Sequence, residues 1–293
     1  MKPAPPFSMA APHRGHSRGS SQSTSTGSTS DMCGASFPRR ETVVAETASF
    51  YRPPRVCRDM YEAVTATPDG ESTVRRFAAT AARDGFDGIV VRNADAADPA
   101  LDAAAVRDAS DIDAVDATEI VADDPTGASG ALSEARRDHT LLLLRGGTPT
   151  LNRFAAEEER VDVLTKPMAG RGDVNHVIAR AAADHGVRVE FDFGPALRKS
   201  GGPRVQALRG LRKLRELVEQ YDVPYVVSGS PASHLQLRAP RELRALGEAV
   251  GFDAEQVEAG LDEWGVLAER NRHRRSADFI APGLERGQYE AER

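Results

Sequence analysis

Residues 187–217 read VRVEFDFGPALRKSGGPRVQALRGLRKLREL, and this run decides how the rest of the chain is taken. Val187 to Phe193 has the pattern of a buried strand, with Glu190 and Asp192 near its end. Gly194-Pro195 closes it, and a polar segment with Arg198, Lys199, Ser200, Gly201, Gly202 and Arg204 follows. Leu208, Leu211, Leu214 and Leu217 then recur every three residues, which predicts an amphipathic helix over 205–220 with its leucines turned to a core. A strand that ends in carboxylates and hands over to a cationic loop is the layout of an α/β site. Arg198, Lys199, Arg204, Arg209, Arg212, Lys213 and Arg215 place seven positive charges in eighteen residues with no acid among them. Such a stretch points toward a polyanion, RNA or a phosphorylated metabolite.

Outward from this run, the same alternation recurs. Strands are expected at Tyr61–Val64, Ile89–Val91, Ala114–Ile120, Thr140–Leu144, Val161–Thr165, Val187–Phe193 and Pro224–Ser228. Helices are expected between them: one capped by Ser72, one inside 94–111, one after Asp124-Pro125, one over 151–158, and one over 173–185 with Val174, Val177, Ile178 and Ala181 on one face. The last third reads as helices over 240–249, 254–264 and 268–274. Short buried strands separated by helices imply a parallel sheet covered by helices. The 234 residues after position 59 fit a TIM-like (β/α) barrel, with a doubly wound open sheet as the alternative. No G-x-G-x-x-G opens a helix after the first strand, so the dinucleotide fingerprint is missing.

Residues 1–59 differ in kind. SRGSSQSTSTGSTS at 17–30 has no apolar residue, and proline-rich pieces flank it. A segment like this cannot offset its ordering entropy by burial and is expected to be disordered, apart from a short strand at Thr42-Val43-Val44. No apolar stretch follows Lys2 to make a signal peptide, and nothing later resembles a membrane span. Cys33 and Cys57 lie in or beside this tail, so the body has neither a disulfide framework nor a cysteine zinc site. The tail carries a net +4 and the body a net −10, and the acid excess sits in 60–190 while 191–293 is balanced. Four Lys against 34 Arg, with many acids and Ala, suggest a high-salt cytoplasm. There an RNA partner must be held by bidentate Arg contacts, because simple attraction to phosphate is screened.

In a barrel the working groups lie just past the C-terminal strand ends. Those ends supply Arg92 and Asn93, Glu119, Arg145, Lys166, Glu190 and Asp192, and Ser228 and Ser230. Glu190 and Asp192 are two apart and face one side, so with Glu119 they could ligate a metal in a phosphoesterase. A two-metal site needs more ligands than these, and of the body's histidines only His234 falls near the mouth. The plainer reading pairs these carboxylates with Arg92, Arg145 or Lys166. Arg238, Arg241 and Arg244 make a second cationic ladder, and Arg270, Arg272, Arg274 and Arg275 a third around His273. No aromatics interleave with the charges, which favours contact with folded RNA backbone over base stacking. Trp264 reads as a packing anchor.

The body resembles archaeal ribonuclease P protein component 3. The resemblance rests on MYEAVTATPDG at 60–70, GFDGIVVRN at 85–93, LNRFAAE at 151–157, the long run from Asn175 to Leu217, HLQLRAPREL at 234–243 and GFDAEQVEAGLDEWG at 251–265. It extends from Met60 to about residue 283. It implies a barrel of the polymerase-and-histidinol-phosphatase type without a working metal centre, and a non-catalytic subunit of the ribonucleoprotein that removes the 5′ leader from precursor tRNA. The RNA subunit, with its Mg²⁺, would perform the hydrolysis, and this chain would bind no cofactor. The implied partners are the ribonuclease P RNA, protein component 2 (the Pop5-type subunit) in a dimer of heterodimers, and the other ribonuclease P proteins. Precursor tRNA would be met indirectly, in the cytoplasm and away from membranes.

Carried over by position, the candidates for RNA or partner contact are Arg92, Asn93, Arg198, Lys199, Arg204, Arg238 and Arg241, to which the helix face adds Arg209, Arg212 and Lys213. Glu119, Lys166, Glu190 and Asp192 would be vestigial or structural residues of the barrel mouth. Two segments depart from the family: Thr165-Lys166-Pro167-Met168 stands where relatives tend to have His-Pro, and Gly229-Ser230-Pro231-Ala232 replaces a stretch richer in Asp and His. Both weaken a metal centre further. Residues 1–59 have no counterpart in the family, so an upstream start-codon misassignment is the expectation for them, the alternative being a genuine disordered extension. The rival functions are a metal-dependent phosphoesterase and a protein-binding scaffold without RNA contact.

Overall fold

The computed structural model describes residues 59–94 and 97–276, and the backbone of 279–281 and 284–285. The disorder expected of the tail, its strand at 42–44, its two cysteines and the question of its start therefore lie outside the described residues, Asp59 apart.

Seven strands alternate with helices: β1 (Tyr61–Val64), α1 (Val74–Asp84), β2 (Gly88–Ala94), α2 (Ala103–Ser110), β3 (Asp113–Ile120), α3 (Pro125–Ala135), β4 (Leu141–Arg145), α4 (Pro149–Glu157), β5 (Val163–Thr165), α5 (His176–His185), β6 (Arg188–Asp192), α6 (Gly194–Arg198), α7 (Gly201–Tyr221) and β7 (Tyr225–Ser228). A 3-10 turn at His234–Gln236, α8 (Pro240–Val250), α9 (Ala254–Arg275) and a small hairpin of β8 (Phe279–Ala281) and β9 (Leu284–Glu285) follow. Strands β1 to β7 pair in sequence order, every pair parallel. The barrel expected from the strand pattern is thus the fold, and the open doubly wound sheet is excluded.

Its closure differs from a continuous ladder, because β7 and β1 do not pair as strands. Three devices bridge the seam instead. Thr65 N–H donates to the Pro231 carbonyl at 3.0 Å. The buried Glu62 carboxylate accepts from Gly229 N–H at 2.9 Å and Ser228 Oγ–H at 2.8 Å. Trp264, fully buried on α9, donates its Nε1–H to the Val227 carbonyl at 2.9 Å. An edge strand left unpaired would bury unsatisfied backbone groups, and one backbone bond with the Glu62 and Trp264 side chains supplies partners there.

The strand parity separates two apolar regions. Ala63, Val90, Val115, Leu141, Leu143, Val163 and Val226 point into the barrel, where Trp264 and Leu267 of α9 join them. Val64, Ile89, Val91, Leu142, Leu144, Leu164, Val189 and Phe191 face outward under the helices. Helix α9 was expected as two pieces and is one, started by Asp253, whose Oδ1 accepts Gln256 N–H at 2.7 Å while Gln256 returns the bond to Asp253 N–H. Gly265 does not end it. A Cβ there would lie 2.6 Å from the Tyr61 ring, and one at Gly88 would lie 2.1 Å from the same ring, so both glycines make room for Tyr61 inside the barrel.

Three other local expectations change. Ser72 does not cap α1: Thr73 holds that position, and Ser72 Oγ bonds His234 Nδ1 at 2.8 Å. Val177 is exposed, because α5 starts later than expected, at His176 under an Asn175 cap, and turns Val177 outward, while Val174 is buried ahead of the helix. The flexible Gly201-Gly202 loop is absent: α6 and α7 leave only Lys199 and Ser200 between them. Pro195 and Pro203 sit in the first turns of those helices, where a missing N–H costs nothing.

Candidate RNA-binding face and the barrel mouth

The polar strand ends converge on one mouth and pair with one another, with Nε of Arg92 and of Arg145 left buried without a hydrogen bond. Arg92 at the end of β2 is 1% exposed, and its Nη1 lies 2.5 Å from Glu190 Oε1 of β6. Its Nη2 donates to Ser230 Oγ. Glu119 on β3 accepts from Arg145 Nη2, from Thr165 Oγ1 at 2.6 Å and from Lys166 Nζ at 3.4 Å. Glu190 also takes the backbone N–H of Lys166 at 3.2 Å. Asn93, 2% exposed, spends its amide on Ala66, accepting its N–H at 3.0 Å and donating to its carbonyl at 2.6 Å.

The electrostatics follow from this packing. Burial pushes the Glu119 carboxyl up, but Arg92, Lys166 and Arg145 pull it down to about 2, so it stays ionised. Burial works against the Arg92 charge, and Glu190, Glu119 and Asp192 outweigh it, leaving its pKa raised. Glu62 has no cation of its own: burial pushes it up to about 7 against the opposing hydrogen bonds from Ser228 and Gly229. Sequence reading missed Glu62 and Thr165. Glu62 sits in the middle of the short apolar strand Tyr61–Val64, and a lone carboxylate in such a strand was the available signal.

This mouth does not suit a metal. Among the described residues no three His, Cys, Asp or Glu side chains are placed to hold one. Of the three carboxylates expected as ligands, Glu119 and Glu190 are already held by Arg145, Lys166 and Arg92, which occupy the electrostatic place of a divalent cation, and Asp192 accepts the Gly194 N–H. His234, the one histidine expected nearby, is tied to Ser72.

The remaining candidates divide by whether the chain itself engages them. Arg92 and Asn93 are turned inward, and Arg198 donates to the carbonyls of Gly229 at 2.8 Å and Ser230 at 2.9 Å, locking the loop after β7. Arg238 holds the Leu235 and Leu237 carbonyls, Arg212 the Ala249 carbonyl, and Lys213 reaches Asp173 at 2.5 Å. Lys199, Arg204, Arg209 and Arg241 are exposed, and no hydrogen bond or ion pair among the described residues engages them. The first three share the start and outer face of α7, whose inner face buries Leu211, Leu214 and Val218 and half-buries Leu208 and Leu217. In the third cluster, Arg270 pairs with Asp162 and Arg272 with Asp113, so these two brace α9 against the barrel's other end.

A parallel (β/α) barrel with an internally paired mouth and a free cationic helix face is the class that fold and site define. The family pattern described as RNase P subunit p30 matches residues 55–276, and the chain belongs to that family. Ribonuclease P protein component 3 of Halorubrum lacusprofundi is 59% identical over 238 residues, covering 79% of this chain and 99% of the relative. The protein of the same description from Halobacterium salinarum is 60% identical over 233 residues, with the same coverage. A chain in the cryo-EM structure of archaeal ribonuclease P with mature tRNA superposes with a TM-score of 0.67 at 21% identity, covering 79% of this chain and all of that one, and so shares the fold.

Proposed function

We infer that this chain is a protein subunit of ribonuclease P, the ribonucleoprotein that removes the 5′ leader from precursor tRNA. The observation that carries this is the 59–60% identity to haloarchaeal component 3 proteins along 99% of their length. The chain does not supply the chemistry. Of its mouth carboxylates, Glu119 and Glu190 are consumed by Arg92, Arg145 and Lys166, and Asp192 alone makes no ligand set, so hydrolysis belongs to the RNA subunit and its Mg²⁺. The chain's part is to stabilise the folded RNA, with Lys199, Arg204, Arg209 and Arg241 meeting phosphates in the way exposed arginines fix backbone position. It works beside component 2, the Pop5-type subunit, in a dimer of heterodimers and meets precursor tRNA only through the particle. The cytoplasm is its place, and no helix among the described residues is long and apolar enough to cross a membrane.

Reconstitution tests the reading. Precursor-tRNA cleavage at low Mg²⁺ by RNA, component 2 and this chain should drop when this chain is left out, and the chain alone should cleave nothing. Cleavage indifferent to its omission would refute the assignment, as would phosphoester hydrolysis by the purified chain that Glu190→Ala removes.

A further inference from the structure

A cavity of about 650 Å³ lies between the segment after β5, the end of β6 and the inner edge of α7. Its charged lining is Lys166, Glu190, Asp192, Lys199, Arg209 and Lys213. Three of these are already neutralised within the chain: Lys166 by Glu119, Glu190 by Arg92 and Lys213 by Asp173. Three are not. Among the described residues Lys199 and Arg209 have no partner, and Asp192 makes no ion pair: it accepts the Gly194 N–H at 2.8 Å, and its charge acts on Arg198 and Arg92 without contact. Between them the walls are apolar, formed by Pro167, Met168, Pro195, Pro203, Ala207 and Leu211. The volume is in the range of small-molecule sites, roughly 300–1,000 Å³.

Two free cations, an apolar slot and one free carboxylate call for a ligand with an anionic end, a flat body and a hydrogen-bond-donating edge. We propose that this cavity receives one unpaired guanosine nucleotide of an RNA strand, its base in the slot against Asp192 and its phosphate on Lys199 and Arg209. This rests on the reading of the chain as a ribonuclease P subunit. Guanine is singled out by donor count. A carboxylate accepts two parallel N–H bonds, and guanine offers N1–H and the N2 amino group side by side. Adenine and cytosine present a single amino group there, and uracil a single ring N–H. The exposed Arg204, five residues before Arg209 near the start of α7, offers a further cation outside the cavity's lining. Reading an extruded base by its Watson–Crick edge is a common way for proteins to recognise single-stranded RNA.

The test uses the full chain, checked for folding by circular dichroism, titrated with guanosine 5′-monophosphate, adenosine 5′-monophosphate, ribose 5-phosphate and inorganic phosphate. One saturable site is expected for the guanosine nucleotide. Adenosine nucleotide should bind about tenfold more weakly, the scale of a lost bidentate base contact, and ribose 5-phosphate and inorganic phosphate more weakly still. Asp192→Asn should erase the guanine preference. Because Asp192 also holds the Gly194 N–H, the exposed pair Lys199→Ala with Arg209→Ala gives a second arm, in which both nucleotides should lose affinity and the preference should survive. Inorganic phosphate binding as well as the nucleotide would overturn the proposal, as would equal affinity for both bases. An acidic peptide such as oligoglutamate displacing the nucleotide at lower concentration would assign the cavity to a protein partner instead. Association with the ribonuclease P RNA is measured on the same samples. RNA association that is intact in a chain blind to guanosine nucleotide removes this cavity's role alone, while absent RNA association removes the subunit reading.

Discussion

The mouth of the barrel and the outer face of α7 hold cations of the same kind and near-equal number, yet they do opposite things. At the mouth, Arg92, Arg145 and Lys166 each end on Glu119 or Glu190. On α7 and the residues around it, Lys199, Arg204 and Arg209 find no partner among the described residues. A buried guanidinium is tolerable only when paired, so the mouth is a set of internal solutions to burial. An exposed, unpaired guanidinium costs the fold little and is available to phosphate. What separates structural from functional cations in this protein is thus the partner each finds, which the number of arginines in a stretch does not reveal.

The largest effect is expected from breaking the mouth. Arg92→Met leaves Glu190 buried and without its counter-charge, and should cost about 3–5 kcal/mol of unfolding free energy. Adding Glu190→Met removes the stranded charge, so the double variant should recover a good part of that loss in urea or thermal unfolding. Two separate losses that simply add would show that the pair does not act as a unit. RNA association at matched folded fraction should be unaffected by Arg92→Met, since Arg92 neither reaches the surface nor lines the cavity beside α7.

The seam offers a second contrast, this time with a pH signature. Glu62 titrates near 7 in the folded chain because it is buried, against about 4.3 in an unfolded chain. Between those values the folded state holds more protons than the unfolded one, so this group makes stability fall as pH rises from about 4.5 to about 7. Glu119, held at about 2 by its cations, acts the other way: its contribution is present above the unfolded carboxylate range and is lost as pH falls toward 2. Subtraction separates the two. The unfolding free energy of Glu62→Gln minus that of the unaltered chain should grow by a few kcal/mol at most across pH 4.5–7.5, with the Glu119 part cancelling. A flat difference would mean that Glu62 is solvated.

Much of this comparison could be read in the sequence, and the part that could not has a physical cause. Four consecutive leucines in Thr140–Leu144 and the alternation around Val189 gave the parallel strands, because strands buried on both faces must be continuously apolar. Convergence of strand ends then brought Arg92, Glu119, Arg145, Lys166 and Glu190 to one mouth as expected. Helix starts were harder. Pro195, Gly201-Gly202 and Pro203 look like loop punctuation, yet all fall in the first turns of α6 and α7, where glycine and proline are tolerated. Gly265 resembles a helix end, and its reason for being there is the Tyr61 ring, a contact 204 residues away in sequence that no local pattern encodes. The same blindness to long-range partners explains the site. Nothing near Arg198 in sequence shows that it will hold Gly229 and Ser230, or that Arg209, with the same character, will hold nothing.

The smallest change in stability should carry the clearest change in function. Arg204→Ala with Arg209→Ala removes two exposed side chains that touch no partner, and should leave the unfolding free energy within about 0.5 kcal/mol of the unaltered chain. If each meets a phosphate, association with the ribonuclease P RNA should weaken at every salt concentration, and the slope of log affinity against log salt should flatten by about 1 per lost contact. Lys213→Ala is the internal control. Its ammonium already sits on Asp173 at 2.5 Å, so its removal frees a carboxylate rather than vacating a phosphate site, and its slope should move less than that of either arginine. Equal slopes for all three would erase the distinction between spent and unspent cations on this face. Losses confined to the two arginines would place the RNA on the outer side of α7 and keep the mouth, with its paired charges, as the frame that holds that helix in position.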